Sequence, residues 1–234
     1  QAAISSGKVA HTLNIRELGG LANTISVGVE KAQSIFQQSQ GIKRTEIPVG
    51  ELILGTECGG SDACSGIAAN PAVGKCSDLL IEQGGVSILS ETMELVGAEH
   101  LLAERAINET KRNQLLHAIQ YTEEEAMKMG VDIRGTQPAR GNIEGGITTI
   151  EEKSLGCIRK GGTTDLVEVI GYAEESTENG LVFMDTPGHD IEQLTGMVAG
   201  GAQIAAFTTG RGTPAGSPIA PVIKIASNDL MYQI

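Results

Sequence analysis

Four acids and a thiol stand among glycines and small polar residues in this chain. Glu57, Cys58 and Asp62 share the run Glu57-Cys58-Gly59-Gly60-Ser61-Asp62, Glu91 lies in Ser90-Glu91-Thr92, and Asp185 opens Asp185-Thr186-Pro187-Gly188. Carboxylate oxygens and a thiolate suit a divalent ion, and acids gathered without a cation repel one another. Arg211, in Thr208-Thr209-Gly210-Arg211-Gly212, and Lys224 are cations able to pair with a carboxylate, arginine in bidentate fashion. An ion beside an anion clamp is equipment for removing a proton next to a carboxylate, because the metal stabilises the enediolate. His189 reads as a loop residue, and His11, His100 and His117 as surface or packing residues.

Such residues need a scaffold to bring them together. Leu52-Ile53-Leu54 is an apolar run leading into the glycine-rich loop, and Asn70 and Pro71 supply an N-cap and a first helical residue. Ala72, Val73, Cys76, Leu79 and Leu80 share a face at helical spacing, and Gly84 suits the left-handed residue past a helix end. Val86 to Leu89 is then a second strand, so the spacing predicts strand, loop, helix and strand with the strands parallel. Apolar runs at 181–184, 204–207 and 222–225 predict three more buried strands. All carboxyl ends of a parallel sheet lie on one edge, which would gather Glu57, Glu91, Asp185, Arg211 and Ser227-Asn228 in one crevice.

The remaining periods are mostly helical. Ile25, Val29, Ala32 and Phe36 repeat along one face, and a long helical pattern runs from Ala98 to Met129 with Leu101, Leu102, Leu115, Leu116 and Ile119 as its buried stripe. Thr148 with Glu151, or Thr149 with Glu152, makes a capping box after the glycine-rich run 140–146, and the free N–H groups of such a helix start attract anions. Gly161-Gly162 ends that helix, 163–180 fits a short strand or a helical turn, and Glu192 to Ala199 reads as a crossover helix. Residues 1–22 read as a connector or arm ahead of an α/β domain over 23–234. Gln1 at the start and a helix opening at Ser227 to Leu230 suggest a domain of a longer protein.

Composition excludes several functions. A formal charge of −12, from 17 basic and 29 acidic residues with no basic cluster, argues against nucleic acid as a partner. No apolar run approaches the roughly 20 residues of a membrane span, and no leader pattern opens the chain, so a soluble cytoplasmic protein is expected. Four dispersed cysteines fit neither paired zinc knuckles nor a disulfide scaffold. The glycine-rich loop also admits a nucleotide- or anion-binding module without chemistry, but it lacks both the G-x-G-x-x-G spacing and a Walker lysine.

The motifs taken together resemble the altronate and galactarate dehydratase family. They are Cys58-Gly59-Gly60-Ser61-Asp62, Ala69-Asn70-Pro71-Ala72-Val73-Gly74, Ser90-Glu91-Thr92, Gly141-Asn142 with Gly145-Gly146, Glu152-Lys153, Asp185-Thr186-Pro187-Gly188, and Thr208 to Gly212 with Pro221 to Lys224. The resemblance implies a lyase that removes water from a sugar acid to give a 2-keto-3-deoxy acid, with ferrous iron as cofactor. It also implies a carboxy-terminal Rossmann-like domain of about seven mostly parallel strands with an unusual crossover, preceded in longer members by a β-clip domain and a dimerising middle domain. Missing amino-terminal domains or a subunit, and a homodimer of the full-length protein, are thus expected partners. Within that frame we expect Cys58, Asp62 and Glu91 to contact or support the metal, and Glu91 or Lys153 to be the base. Asn70, Asn142, Thr149, Arg211 and Lys224 are expected to hold the substrate. Ile143 stands where several sugar-acid members carry lysine, and Arg140 replaces a proline. Those departures keep open a sulfolactate sulfo-lyase large subunit, a relative within the family that expels sulfite.

Overall fold

Residues 9–234 are described by the structure, a computed structural model, which divides into the units Gln1–Ile47 and Pro48–Ile234. In the first, residues 9–14 have no regular structure, 15–19 form a turn, and the rest of the opening segment lies outside the described residues. Helix α1 (Leu21–Ser39) follows and buries no residue, with Leu21, Ile25, Val29 and Phe36 all exposed. The compact unit that holds the sheet opens at Pro48, after α1.

In the second unit the short apolar runs become strands. They are too brief for helices, and β-branched or small side chains fill both faces of a covered sheet. In chain order the elements are β1 (Ile53–Cys58), α2 (Asn70–Glu82), β2 (Val86–Leu89), α3 (Glu99–Ala103), α4 (Glu109–Lys128), α5 (Ile133–Thr136), α6 (Arg140–Glu144) and α7 (Ile150–Ile158). Then come β3 (Leu166–Ile170), β4 (Gly180–Met184), α8 (Asp190–Ala199), β5 (Ile204–Thr209), β6 (Val222–Ala226) and α9 (Asp229–Tyr232). The strands form one sheet in the order β3-β4-β2-β1-β5-β6, every neighbouring pair parallel. The ambiguous stretch 163–180 thus holds the sixth strand, β3, and the described residues supply six strands where about seven were implied.

Chain order reverses between β1 and its neighbours β2 and β5, the switch point where an open parallel sheet leaves a crevice beyond its carboxyl ends. The link between β3 and β4 is uncommonly short. These parallel neighbours are joined by 171–179 with no helix, although such a link ordinarily needs about a dozen residues. One carboxylate organises that short path. Glu168 accepts the Thr177 hydroxyl at 2.8 Å, the Ser176 hydroxyl at 2.7 Å and the Thr177 N–H at 2.9 Å.

Two helical expectations change. The pattern from Ala98 to Met129 is broken into α3 and α4, because 104–108 passes the sheet edge: Leu166 N–H donates to Arg105 O and Ile107 N–H to Leu166 O. Asn108 then caps α4 by accepting the Lys111 N–H. On α2 the apolar stripe is only half buried. Val73 and Leu80 reach the core beside the buried polar pair Ser77 and Asp78, while Ala72, Cys76 and Leu79 face outward and, with β1, β5 and β6, bound an open apolar groove of about 420 Å³. Gly84 is left-handed as expected, with φ 85.

Candidate active site

Side chains of β1 alternate between the two faces of the sheet, and the site begins with that alternation. Glu57 faces α8, wholly buried, against the Gln193 side-chain amide, whose nitrogen, with the amide flipped, donates to it. Burial pushes its carboxyl well above the usual range; Glu94 and Asp190 add to this, and Lys160 and Lys224 oppose it. Cys58 faces the other way, its Sγ 2.6 Å from Ser61 Oγ and 3.7 Å from Asn70 Nδ2.

Beyond β2 the chain turns sharply. Glu91 has φ 77 and ψ 61, a left-handed conformation that costs a non-glycine residue about 1–3 kcal/mol unless its surroundings hold it. They do: its N–H donates to Thr186 Oγ1 at 2.9 Å, and its carbonyl accepts the Glu94 N–H at 2.8 Å. The turn aims the fully buried carboxylate beneath the loop after β1. There it accepts the Cys58 N–H at 3.3 Å and the Cys157 thiol at 3.1 Å, and it lies against the Lys160 ammonium.

Helix α7 and the single turn that continues it supply the remaining groups. Lys153, Cys157 and Lys160 fall at i, i+4 and i+7, one helical face. Lys160 is fully enclosed and its Nζ has no partner beyond Glu91 among the described residues. Burial lowers the pKa of this ammonium, against the attraction of Cys58, Glu57 and Asp190. Burial likewise drives the Cys157 thiol well above its ordinary value, helped by Glu94, Cys58 and Glu57. Lys153 pairs with Glu94 at 2.7 Å. A cleft of about 670 Å³ runs along α7, with Cys58, Asp62, Asn70, Glu94, Lys153 and Cys157 among its walls. Glycine allows the approach that shapes it: a Cβ on Gly66 would come within 3.0 Å of the Gly156 backbone.

The expected site residues divide by position. Cys58, Asp62, Asn70, Thr149 and Lys153 line the cleft, and Glu91 lies behind its wall. Asn70 is not an N-cap, because a π-turn over Ser65–Ala69 leads into α2; its side chain instead bonds Gly156 O at 2.9 Å and accepts the Thr208 hydroxyl at 2.6 Å. Thr149 caps α7 through the Glu152 N–H, the second of the two capping boxes considered. Asp62 is occupied by hydrogen bonds from Ser65, Ser227 and Asn228, which fasten the loop after β1 to the end of β6. Burial pulls its carboxyl up, but these donors outweigh burial and hold it below the ordinary value.

Three residues expected to bind substrate point elsewhere. Asn142 is buried and donates to Ser61 O at 3.0 Å, bracing the loop. Arg211 donates to Gly141 O at 2.6 Å and pairs with Glu144 at 3.2 Å, and Lys224 lies 4.1 Å over the Phe207 ring and bonds Ala215 O. The placement has a simple cause: a place on the carboxyl edge fixes where a residue's backbone lies but leaves its long side chain free to turn to nearer acceptors.

Glu91, Glu94 and Cys157 offer ligand atoms all within 4.8 Å of one another. Two carboxylates with a thiol form a donor set that a borderline-soft divalent ion accepts, and the two acids already carry cationic partners in Lys160 and Lys153. The donor types suit an ion that would share these acids with the two lysines. Of the expected metal contacts, Glu91 belongs to this group, Cys58 touches Glu91 through its backbone, and Asp62 is committed to other donors. Glu94, Cys157 and Lys160 were not singled out from the sequence, although the 153, 157, 160 spacing was available to show them.

The molecule is thus an open, all-parallel α/β domain with a carboxylate and thiol site at its switch point. Residues 49–234 match the family described as D-galactarate/Altronate dehydratase, C-terminal, and the chain belongs to that family. It is 39% identical over 217 residues to altronate dehydratase of Bacillus subtilis (strain 168), covering 93% of this chain and 43% of the relative. It is 39% identical over 208 residues to galactarate dehydratase (L-threo-forming) of Escherichia coli (strain K12), covering 89% and 40%. To (2R)-sulfolactate sulfo-lyase subunit beta of Chromohalobacter salexigens it is 41% identical over 214 residues, covering 91% and 55%. The chain spans about half the length of these relatives. No helix among the described residues is long and apolar enough to cross a membrane.

Proposed function

We propose that this domain carries the reaction site of a cytoplasmic hydro-lyase that dehydrates a sugar acid such as altronate or galactarate to a 2-keto-3-deoxy acid. The observation that carries the reading is the Glu91, Glu94 and Cys157 group beside Lys153, at the cleft along α7, in a chain of this family. A divalent ion there, iron(II) by the family resemblance, supplies a Lewis acid for the negative charge that develops on the substrate carboxylate as its α-proton leaves. Glu94 and Cys157 face the cleft and Glu91 supports them from behind, so Glu91 acts without touching substrate. Lys153, at the cleft, is the proton-handling group: its ammonium would protonate the departing hydroxyl, and the α-proton would pass to the amine this leaves. Asn70 and the Thr149 end of α7 add polar contacts along the same wall.

A sulfo-lyase reading is favoured by one observation, the 41% identity to the sulfolactate sulfo-lyase subunit. The departures at Arg140 and Ile143 bear little on the choice, because both lie on α6 with exposed side chains and neither lines the cleft. An anaerobic assay with iron(II) on altronate, galactarate and sulfolactate decides between the readings, run on this chain and on the longer protein or with the missing subunit. A keto acid formed from one of the first two, and lost on chelation, is the expected result. Sulfite release from sulfolactate alone favours the second reading, and neither binding nor turnover of any of the three rejects both.

A further inference from the structure

Each carboxylate of the ion-holding group already has a lysine, yet the two pairs differ in freedom. Lys160 and Glu91 are fully enclosed, so neither has anywhere to go. Lys153 and Glu94 retain 11% and 12% side-chain exposure, and both line the cleft. Lys153 also has a second seat, donating to Gln137 Oε1 at 3.3 Å. Glu94 therefore has two demands on it: the Lys153 ammonium at 2.7 Å, and a place among ligand atoms within 4.8 Å of one another.

We infer that Lys153 is an internal competitor for the ion, which holds Glu94 until that carboxylate turns to the metal and is then freed to receive the substrate's carboxylate. The inference rests on the function proposed above and deepens it by giving an order of binding, ion first and sugar acid second. While Lys153 is paired, an incoming carboxylate meets an engaged ammonium with an acid beside it. Once Glu94 has turned away, the same ammonium stands unpaired in the cleft. By linkage the two ligands then strengthen each other's binding by equal factors.

The test measures ion affinity, with no need for turnover. The whole chain is titrated anaerobically with iron(II), and separately with manganese(II), against a chromophoric chelator, and thermal unfolding confirms that each variant is folded. Lys153→Met binds the ion about threefold to fivefold more tightly than the wild type, the scale of one partly exposed ion pair, and Lys153→Gln does the same if the methionine variant folds poorly. Glu94→Gln binds at least about tenfold more weakly, on the scale of losing a close contact of a metal site. Arg159→Met is the control, because Arg159 lines the same cleft and carries the same charge; its affinity stays within about twofold of the wild type. Unchanged or weaker binding by both Lys153 variants overturns the inference, as does equal tightening by Arg159→Met. A wild-type chain that takes up neither ion overturns the proposed site itself.

Discussion

Glu91 is surrounded by the ammonium of Lys160, the thiol of Cys157 and the N–H of Cys58, and it reaches them only through a left-handed backbone. Removing the charge from one side of a buried pair strands the other. Glu91→Gln is expected to lower stability by about 3–5 kcal/mol in urea unfolding, whereas Glu91→Gln with Lys160→Met recovers a large part of that loss. Equal losses in the single and double variants would show that the pair is not what the fold depends on. Individual residues were unevenly legible at this scale. The Cys58 loop and Glu91 showed themselves by their glycine and small polar neighbours. Glu94 and Cys157 sit inside helical turns, and Lys160 lies in an amphipathic pattern whose buried face is decided by what packs on it.

Between elements, carboxylates do the fastening where the backbone path is short. Glu168→Ala leaves the donors of 171–179 without their acceptor and is expected to cost about 2 kcal/mol, read as a lower urea midpoint with an unchanged slope. Asp62 plays the same part between the loop after β1 and the end of β6. Its folded pKa is depressed, so its contribution is complete above the unfolded value of about 3.9 and is lost as pH falls through the folded value. The stability gap between wild type and Asp62→Ala should therefore be widest near neutrality and close progressively below about pH 4, measured by urea titration across that range. A gap independent of pH would deny the carboxylate this role. The strands and their shared edge were readable because short apolar runs between glycines have few other uses. The break between α3 and α4 was not, since it depends on a sheet edge that the local period of Ala98 to Met129 does not record.

Over the molecule as a whole, residues 41–48 are exposed throughout and belong to no helix or strand. Lys43 and Arg44 lie in that stretch just ahead of the division at Pro48, so brief trypsin treatment should cut there first and leave a resistant fragment beginning near Thr45. Mass spectrometry of the digest checks this, and early cleavage within the sheet would contradict the division. The fragment should keep the thermal transition of the intact chain, because β1 to β6 and the cleft all lie in the second unit. The tie between Asp62 and Ser227 spans 165 positions. On the ribosome, the thiol-bearing loop must therefore wait for nearly the whole of this stretch to emerge before its anchor exists. A nascent chain halted ahead of β6 would carry Glu91, Glu94 and Cys157 and still lack the clasp that fastens the loop after β1.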